Sequence, residues 1–262
     1  MGAGPGRLVA SGVLGAPEAR YDVTEFVAAP GMRGEVASAF EIQRWLAAQV
    51  VAAREVGTFP LVLAGNCMSA VGIFAGLRSR SRRVPGVCWF DAHADFNTPE
   101  TTVTGFLDGM ALATLTGRCW THITNSVLDF RPAPDDAVLM FGTRDIDALE
   151  RKALTASGIH WPKARDAAGL TADKLAELRT RFGEVYLHID LDVLDISEGR
   201  ANQFACPGGL TRAQLIDHVR TVGMHFHIGA AAITAYDPAC DPEGRIPPIV
   251  RDLVDTIASL LT

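Results

Sequence analysis

The chain has 262 residues, 48% of them hydrophobic and 21% charged, the composition of a soluble globular protein with a sizeable α/β core. A formal net charge of -6 argues against a nucleic-acid surface, because phosphate binding needs a basic patch and the one basic cluster, Arg78–Arg83, reads as a solvated helix end. No run approaches the roughly 20 apolar residues of a membrane span, the opening residues do not read as a signal peptide, and five irregularly spaced cysteines predict free thiols, so a cytoplasmic protein is expected.

In chain order, the opening MGAGPGR is glycine-rich but lacks a preceding strand and the lysine and hydroxyl of a phosphate loop, so an ordinary loop is predicted. Residues 21–34 are expected to be irregular. A helix is predicted over Gly34–Gly57, where Val36, Phe40, Ile42, Leu46, Val50 and Val51 recur near a 3.6 period. Short apolar runs come next, at Leu61–Leu63, Val87–Phe90, Ala137–Phe141, Val185–Ile189 and Ile228–Thr234, each bounded by Gly, Pro or Asp. Helical segments are predicted at about Ser69–Arg82, Asp147–Ser157, Thr171–Arg181, Thr211–Gly223 and Pro247–Leu261. Thr211 with Gln214 forms a capping-box pattern at one helix start. Continuous apolar strands alternating with helices predict a mostly parallel sheet covered on both faces, and the lack of repeats or linkers predicts one domain over residues 1–262.

Ligands of such sheets bind beyond the carboxyl ends of the strands. The polar residues collect there: Gly65, Asn66 and Cys67 after one strand, Asp91, His93 and Asp95 after the next, then Arg144, Asp145, Asp147 and Glu150, then Asp190, Asp192 and Asp195. On an extended backbone Asp91, His93 and Asp95 share one face, and Asp190 and Asp192 repeat the alternation. Their convergence needs a cation, or an unusual hydrogen-bond network, to offset desolvation and mutual repulsion. Carboxylates with an imidazole suit hard or borderline divalent ions such as manganese, and bridging carboxylates can hold two of them, lowering the pKa of a bound water. Acids at strand ends also serve as helix caps and loop residues, but two such motifs, each closing an apolar strand, favour the metal site.

Asp91-Ala92-His93-Ala94-Asp95 and His188-Ile189-Asp190-Leu191-Asp192 resemble the two signature metal motifs of the arginase/agmatinase (ureohydrolase) family. The likeness runs from about Leu61 to Thr211. It implies a three-layer αβα fold with an eight-stranded parallel sheet, a dimanganese centre, hydrolysis of a guanidino or amidino C–N bond by metal-activated hydroxide, a small-molecule substrate and a homo-oligomer. Carried onto this sequence, Asp91 and Asp190 bridge the ions, His93 and Asp192 serve one, and Asp95 serves the other. The family's remaining ligand is a histidine in Gly-Gly-Asp-His, where this chain has Ala64-Gly65-Asn66-Cys67. Cys67 reads as a thiolate ligand, which admits zinc, iron or nickel, or as a small buried hydrophobe. A cysteine here resembles the hydroxyarginine-hydrolysing branch, which shares the Asp95-Phe96-Asn97-Thr98-Pro99-Glu100-Thr101-Thr102 run.

Asn97, Thr102 and Thr104 match positions that hold an amino-acid carboxylate in arginases, and Asp145, Asp147 and Glu150 match those that hold its amino group. The family's histidine proton shuttle is Asp108 here, whose unperturbed pKa near 4 suits that task only if burial raises it. The glutamate that pairs with a guanidinium is expected before Asn-Pro, where this chain has Ala235-Tyr236-Asp237-Pro238, and neither Tyr236 nor Asp237 falls on the matching position. Met1–Pro5 resembles the segment just after the family's first strand, so either that strand is expected to be absent or the start site is misplaced, and an absent strand would expose a sheet edge. These departures keep a second reading open, a catalytically impaired family member serving as a binding or assembly subunit.

Overall fold

The structure, a computed structural model, describes residues 1–15, 21–27, 34–162 and 172–261, with the side chains of residues 172–174 excepted. Five strands form one parallel sheet in the order β1-β5-β4-β2-β3: β1 (Leu61–Ala64), β2 (Gly86–Phe90), β3 (Val138–Phe141), β4 (Glu184–Asp190) and β5 (His227–Thr234). The helices among the described residues are α1 (Gly4–Ala10), α2 (Glu35–Glu55), α3 (Ser69–Arg80), α4 (Ala111–Leu115), α5 (Thr121–Thr124), α6 (Ala148–Ala156), α7 (Ala172–Arg181), α8 (Arg212–His225) and α9 (Ile246–Ser259). Five described strands stand where the resemblance implies eight.

Strand alternation sorts the core into two layers. Cys88, Phe90, Leu139, Phe141, Val185, Leu187, Ile189 and Ile233 point to one face and pack with α7, α8 and α9. Val87, Trp89, Val138, Met140, Tyr186, Ala230 and Ala232 point to the other, beneath α2, α3 and α4. Both faces are therefore dry, which is why the strands read as unbroken apolar runs. Ile249, Val250, Leu253, Val254 and Ile257 of α9 are buried as an i, i+3, i+4 stripe, each contributing about 1.5–3 kcal/mol of burial. Gly72 and Gly76 let α3 lie against α2, since a Cβ at Gly72 would meet the Gln43 carbonyl oxygen at 2.4 Å.

The predicted helices and strands lie within a few residues of the observed ones; Thr171, the expected start of α7, lies outside the described residues, as do residues 28–33 of the stretch expected to be irregular. The capping box of Thr211 and Gln214 is formed. Two expectations need correction. The glycine-rich opening is a helix: Pro5 sits in its first turn, Arg7, Leu8, Val9 and Ala10 are ordinary helix formers, and Gly4 packs where a Cβ would meet the Tyr236 carbonyl oxygen at 2.1 Å. Lastly, Asp91, His93 and Asp95 do not alternate along a strand. Strand β2 ends at Phe90, the chain bends, and Asp95 adopts a left-handed φ of 48°.

Candidate metal centre and substrate cavity

The bend after β2 brings together what strand alternation was expected to. Asp91 closes β2 and Asp190 closes β4, neighbouring parallel strands in register at Phe90 and Ile189. Asp192 follows in a 3₁₀ turn, with its N–H donated to Asp190 Oδ1 at 2.8 Å. His93 donates its backbone N–H to Asp91 Oδ1 at 2.7 Å, and its Nδ1 lies 3.4 Å from both Asp91 Oδ1 and Asp192 Oδ2. Asp91, Asp95, Asp108, Asp190 and Asp192 are all buried, at 7% exposure or less.

So many buried acids perturb one another. Burial first, then the neighbouring acids, raises Asp91 to about 6 and lifts Asp95 and Asp190 well above the usual carboxylate range. Burial works against a charged His93, but hydrogen bonds to Asp192 and Asp91 outweigh it and hold the imidazolium. Asp192 moves the other way, its burial outweighed by His93 and by Asn202. Oδ2 of Asp95 is buried with no hydrogen-bond partner, and no lysine or arginine lines the cavity among the described residues. A carboxylate cluster with an orphan oxygen and one imidazole to balance it fits a divalent cation. Two groups of ligand atoms lie within 4.8 Å of one another: Cys67, Asp91 and His188, and Asp91, His93 and Asp192. Asp91 belongs to both.

Above the cluster is a cavity of about 290 Å³, at the lower end of the range for small-molecule sites. His93, Asp95, Asp108, Asp190 and Asp192 line its floor side, while Cys67 and Asp91 lie beneath, each 1% exposed. Asn97, Thr102 and Thr104 line it as neutral donors, and Asp145, Asp147 and Glu150 line it as acids. Asn97 Nδ2 donates to Asp147 Oδ2 at 3.1 Å. Glu150 also braces the backbone, accepting from Phe96 N at 2.7 Å and from Asp147 N at 3.1 Å in a capping box at the start of α6. Burial raises its carboxyl to about 7. Asp108 accepts the Met68 N–H at 3.0 Å; burial pushes its carboxyl up to about 7 against the hydrogen bonds from Met68, Asn66 and Cys67.

Cys67 donates its thiol to Asp190 Oδ2 at 2.9 Å, with Thr234 Oγ1 at 3.2 Å. Burial, followed by the charge of Asp190, raises the thiol well above its ordinary range. At the rim of the cavity Ala235 adopts φ 63°, a rare conformation for a residue with a Cβ. Tyr236 is turned away, its hydroxyl donating to Asp241 Oδ2 at 3.1 Å, and Asp237 lies 3.6 Å from the N-terminal amine. Asp195 leaves the strand-end set as well. Ser197, Gly208 and Gly209 donate to its carboxylate, and those hydrogen bonds, from Ser197 foremost, lower it to about 2.

Sequence reasoning missed several cavity residues. Asn202, fully buried, donates through Nδ2 to Asp192 Oδ2 at 3.1 Å and to the Ala235 carbonyl at 3.0 Å, and Phe106 stacks on Phe204 with centroids 5.4 Å apart. These lie in irregular segments with no periodic signal. His188 belongs to the second motif but carries no role in the sequence reading; an imidazole two residues before Asp190, on the same strand face, was the available signal.

The family model described as "Arginase family" matches residues 13–257. The chain belongs to the arginase family. An arginase from Bacillus caldovelox is 35% identical over 179 residues, 65% of this chain and 58% of that protein. An N(omega)-hydroxy-L-arginine amidinohydrolase from Streptomyces lavendulae is 33% identical over 173 residues, 63% of this chain and 59% of that protein. These matches thus span less than two thirds of either relative. The solved Bacillus caldovelox arginase superposes with a TM-score of 0.83 at 26% identity, covering 97% of this chain and 91% of that one. The arginase-like α/β fold follows, with its mostly parallel sheet and helices on both faces.

Proposed function

We propose that this arginase-family chain is a single-domain, binuclear metal-dependent hydrolase that cleaves a C–N bond in a guanidino or N-hydroxyguanidino α-amino acid. One observation carries the reading: Asp91, Asp95, Asp190, Asp192 and Cys67 are buried, with His93 half-buried beside them, at the base of an acid-lined cavity, in a chain of this family. Asp91, Asp190, His93 and Asp192 would hold one ion, and Asp91, Asp190, Asp95 and Cys67 the other. Manganese is the first expectation, and Cys67 admits zinc, iron or nickel. When bound, the ions supply a water activated for attack at neutral pH.

The remaining residues bind and orient. Asn97, Thr102 and Thr104 offer neutral donors to a carboxylate, and Asp145 and Asp147 offer acceptors to an ammonium, the complementary pair a zwitterion requires. The cavity's modest volume selects a small substrate. Asp108, raised by burial to about 7, holds or releases a proton near neutral pH, the condition its role requires. Free Cys67, Cys88, Cys119, Cys206 and Cys240 fit a reducing cytoplasm, and the family's habit favours a homo-oligomer.

Release of urea from arginine and related guanidino amino acids, and of hydroxyurea from hydroxyarginine, with each metal supplied in turn, tests the activity. Protein purified without added metal that contains no Mn, Zn, Fe or Ni, and gains no thermal stability on adding them, would sink the metal reading. A second reading rests on Ala235: no carboxylate replaces the missing glutamate among the described cavity residues near it, since Tyr236 and Asp237 are engaged elsewhere. A cationic guanidinium then lacks its charge-assisted partner. A member that binds metal without turnover of any guanidino amino acid would be an impaired paralogue acting as a binding or assembly subunit.

A further inference from the structure

We infer that His188 ligates the inner ion, supplying from β4 the imidazole that Cys67 does not supply from the loop after β1. The inference rests on the proposed binuclear metal centre.

A ring nitrogen of His188, the Cys67 sulfur and an Asp91 oxygen all lie within 4.8 Å of one another. His188 is fully buried, and its Nε2 has no hydrogen-bond partner. The rest of the ring is fixed. Nδ1 meets the Tyr186 hydroxyl at 2.8 Å, and the ring stacks on Trp89 at 3.7 Å between centroids and 11° between planes. Trp89 in turn donates its Nε1 to Asp91 Oδ2 at 3.1 Å. Metal-ligating imidazoles are held in this way, with one nitrogen hydrogen-bonded to fix the ring and the other left for the ion. A histidine kept only to fill the core beside Ala232 would gain nothing from a buried, unpartnered nitrogen on a ring that also reaches a thiol and a carboxylate.

Topology explains the exchange. Tyr186, His188 and Asp190 project from one face of β4, and β2 places Trp89 opposite His188 in register. Cys67 already touches Asp190 from the β1 side. The inner position thus offers one sulfur, one imidazole nitrogen and carboxylate oxygens, a donor set that suits zinc or cobalt better than manganese. The outer position, with His93, Asp192 and the shared Asp91, stays rich in carboxylate.

The test uses the full chain, stripped with a chelator and titrated with Zn²⁺ or Co²⁺. His188→Asn keeps a hydrogen-bonding group toward Tyr186 and removes Nε2. The expected result is two equivalents of zinc in the wild type, and in H188N a loss of one equivalent or at least roughly tenfold weaker binding of it, with a weakened thiolate-to-cobalt charge-transfer band. Wild-type stoichiometry, affinity and cobalt spectrum in H188N would overturn the inference while leaving the metal reading intact. A wild type that binds no ion overturns both. Zinc-edge X-ray absorption on His93→Asn protein gives a reading that does not depend on the folding of H188N: imidazole scattering beside sulfur at about 2.3 Å supports the assignment, and sulfur without imidazole overturns it.

Discussion

Met68 donates its backbone N–H to Oδ1 of Asp108 at 3.0 Å, so the loop that carries Cys67 and the turn that carries Asp108 are held together. In sequence these are two separate departures from an arginase. In space they are neighbours at one edge of the ion site, and the Cys67 backbone also donates to Asp108.

Asp108→Asn retains an oxygen to accept the Met68 N–H but cannot titrate. The expected outcome is a folded protein whose kcat for urea release falls by about 100-fold or more while KM changes little, the usual contribution of a positioned proton donor or acceptor. Full kcat in this variant would remove Asp108 from the chemistry.

Stability of the metal-free protein should fall as pH rises. Asp91 is raised to about 6 and Asp108 to about 7, so between the unfolded carboxylate range near 4 and pH 7 the folded state binds more protons than the unfolded one. Each group then contributes a penalty that is absent below about pH 4 and complete above its folded pKa. Thermal melts from pH 5 to pH 8 should show Tm decreasing in chelator, and added divalent ion should restore it more at pH 8 than at pH 5, because ligands must be deprotonated to bind.

Cys67→Ser preserves a hydroxyl donor toward Asp190 and removes the thiolate. Competition dialysis should show the preference for zinc over manganese falling roughly tenfold or more, with little change in Tm. An unchanged preference would make Cys67 a packing residue.

Arg144 donates to the carbonyls of Gly142, Asp192, Val193, Leu194, Cys206 and Pro207, tying the Asp192 turn to the 206–207 loop. Arg144→Lys loses the planar fork and leaves several carbonyls unpaired. A cost of about 3 kcal/mol, or roughly 10 °C in Tm, is expected by calorimetry, together with weaker metal retention because Asp192 is no longer anchored.

By itself the sequence determined the layer architecture and the main site candidates. Buried parallel strands must be apolar on both faces, so β1 to β5 are visible as runs, and polar groups can gather only where those runs stop, which picked out Asp91, His93, Asp190 and Asp192. It also showed where arginase residues are replaced, at Cys67, Asp108 and Ala235. The tertiary structure decided how those residues meet. A bend and a left-handed Asp95, rather than strand alternation, turn the first motif inward. Burial, a property of the packed chain, raises Asp108 toward neutrality. Register between β2 and β4, which no local pattern encodes, sets His188 beside Cys67 and Asp91, while Asn202 reaches Asp192 from a loop without periodicity.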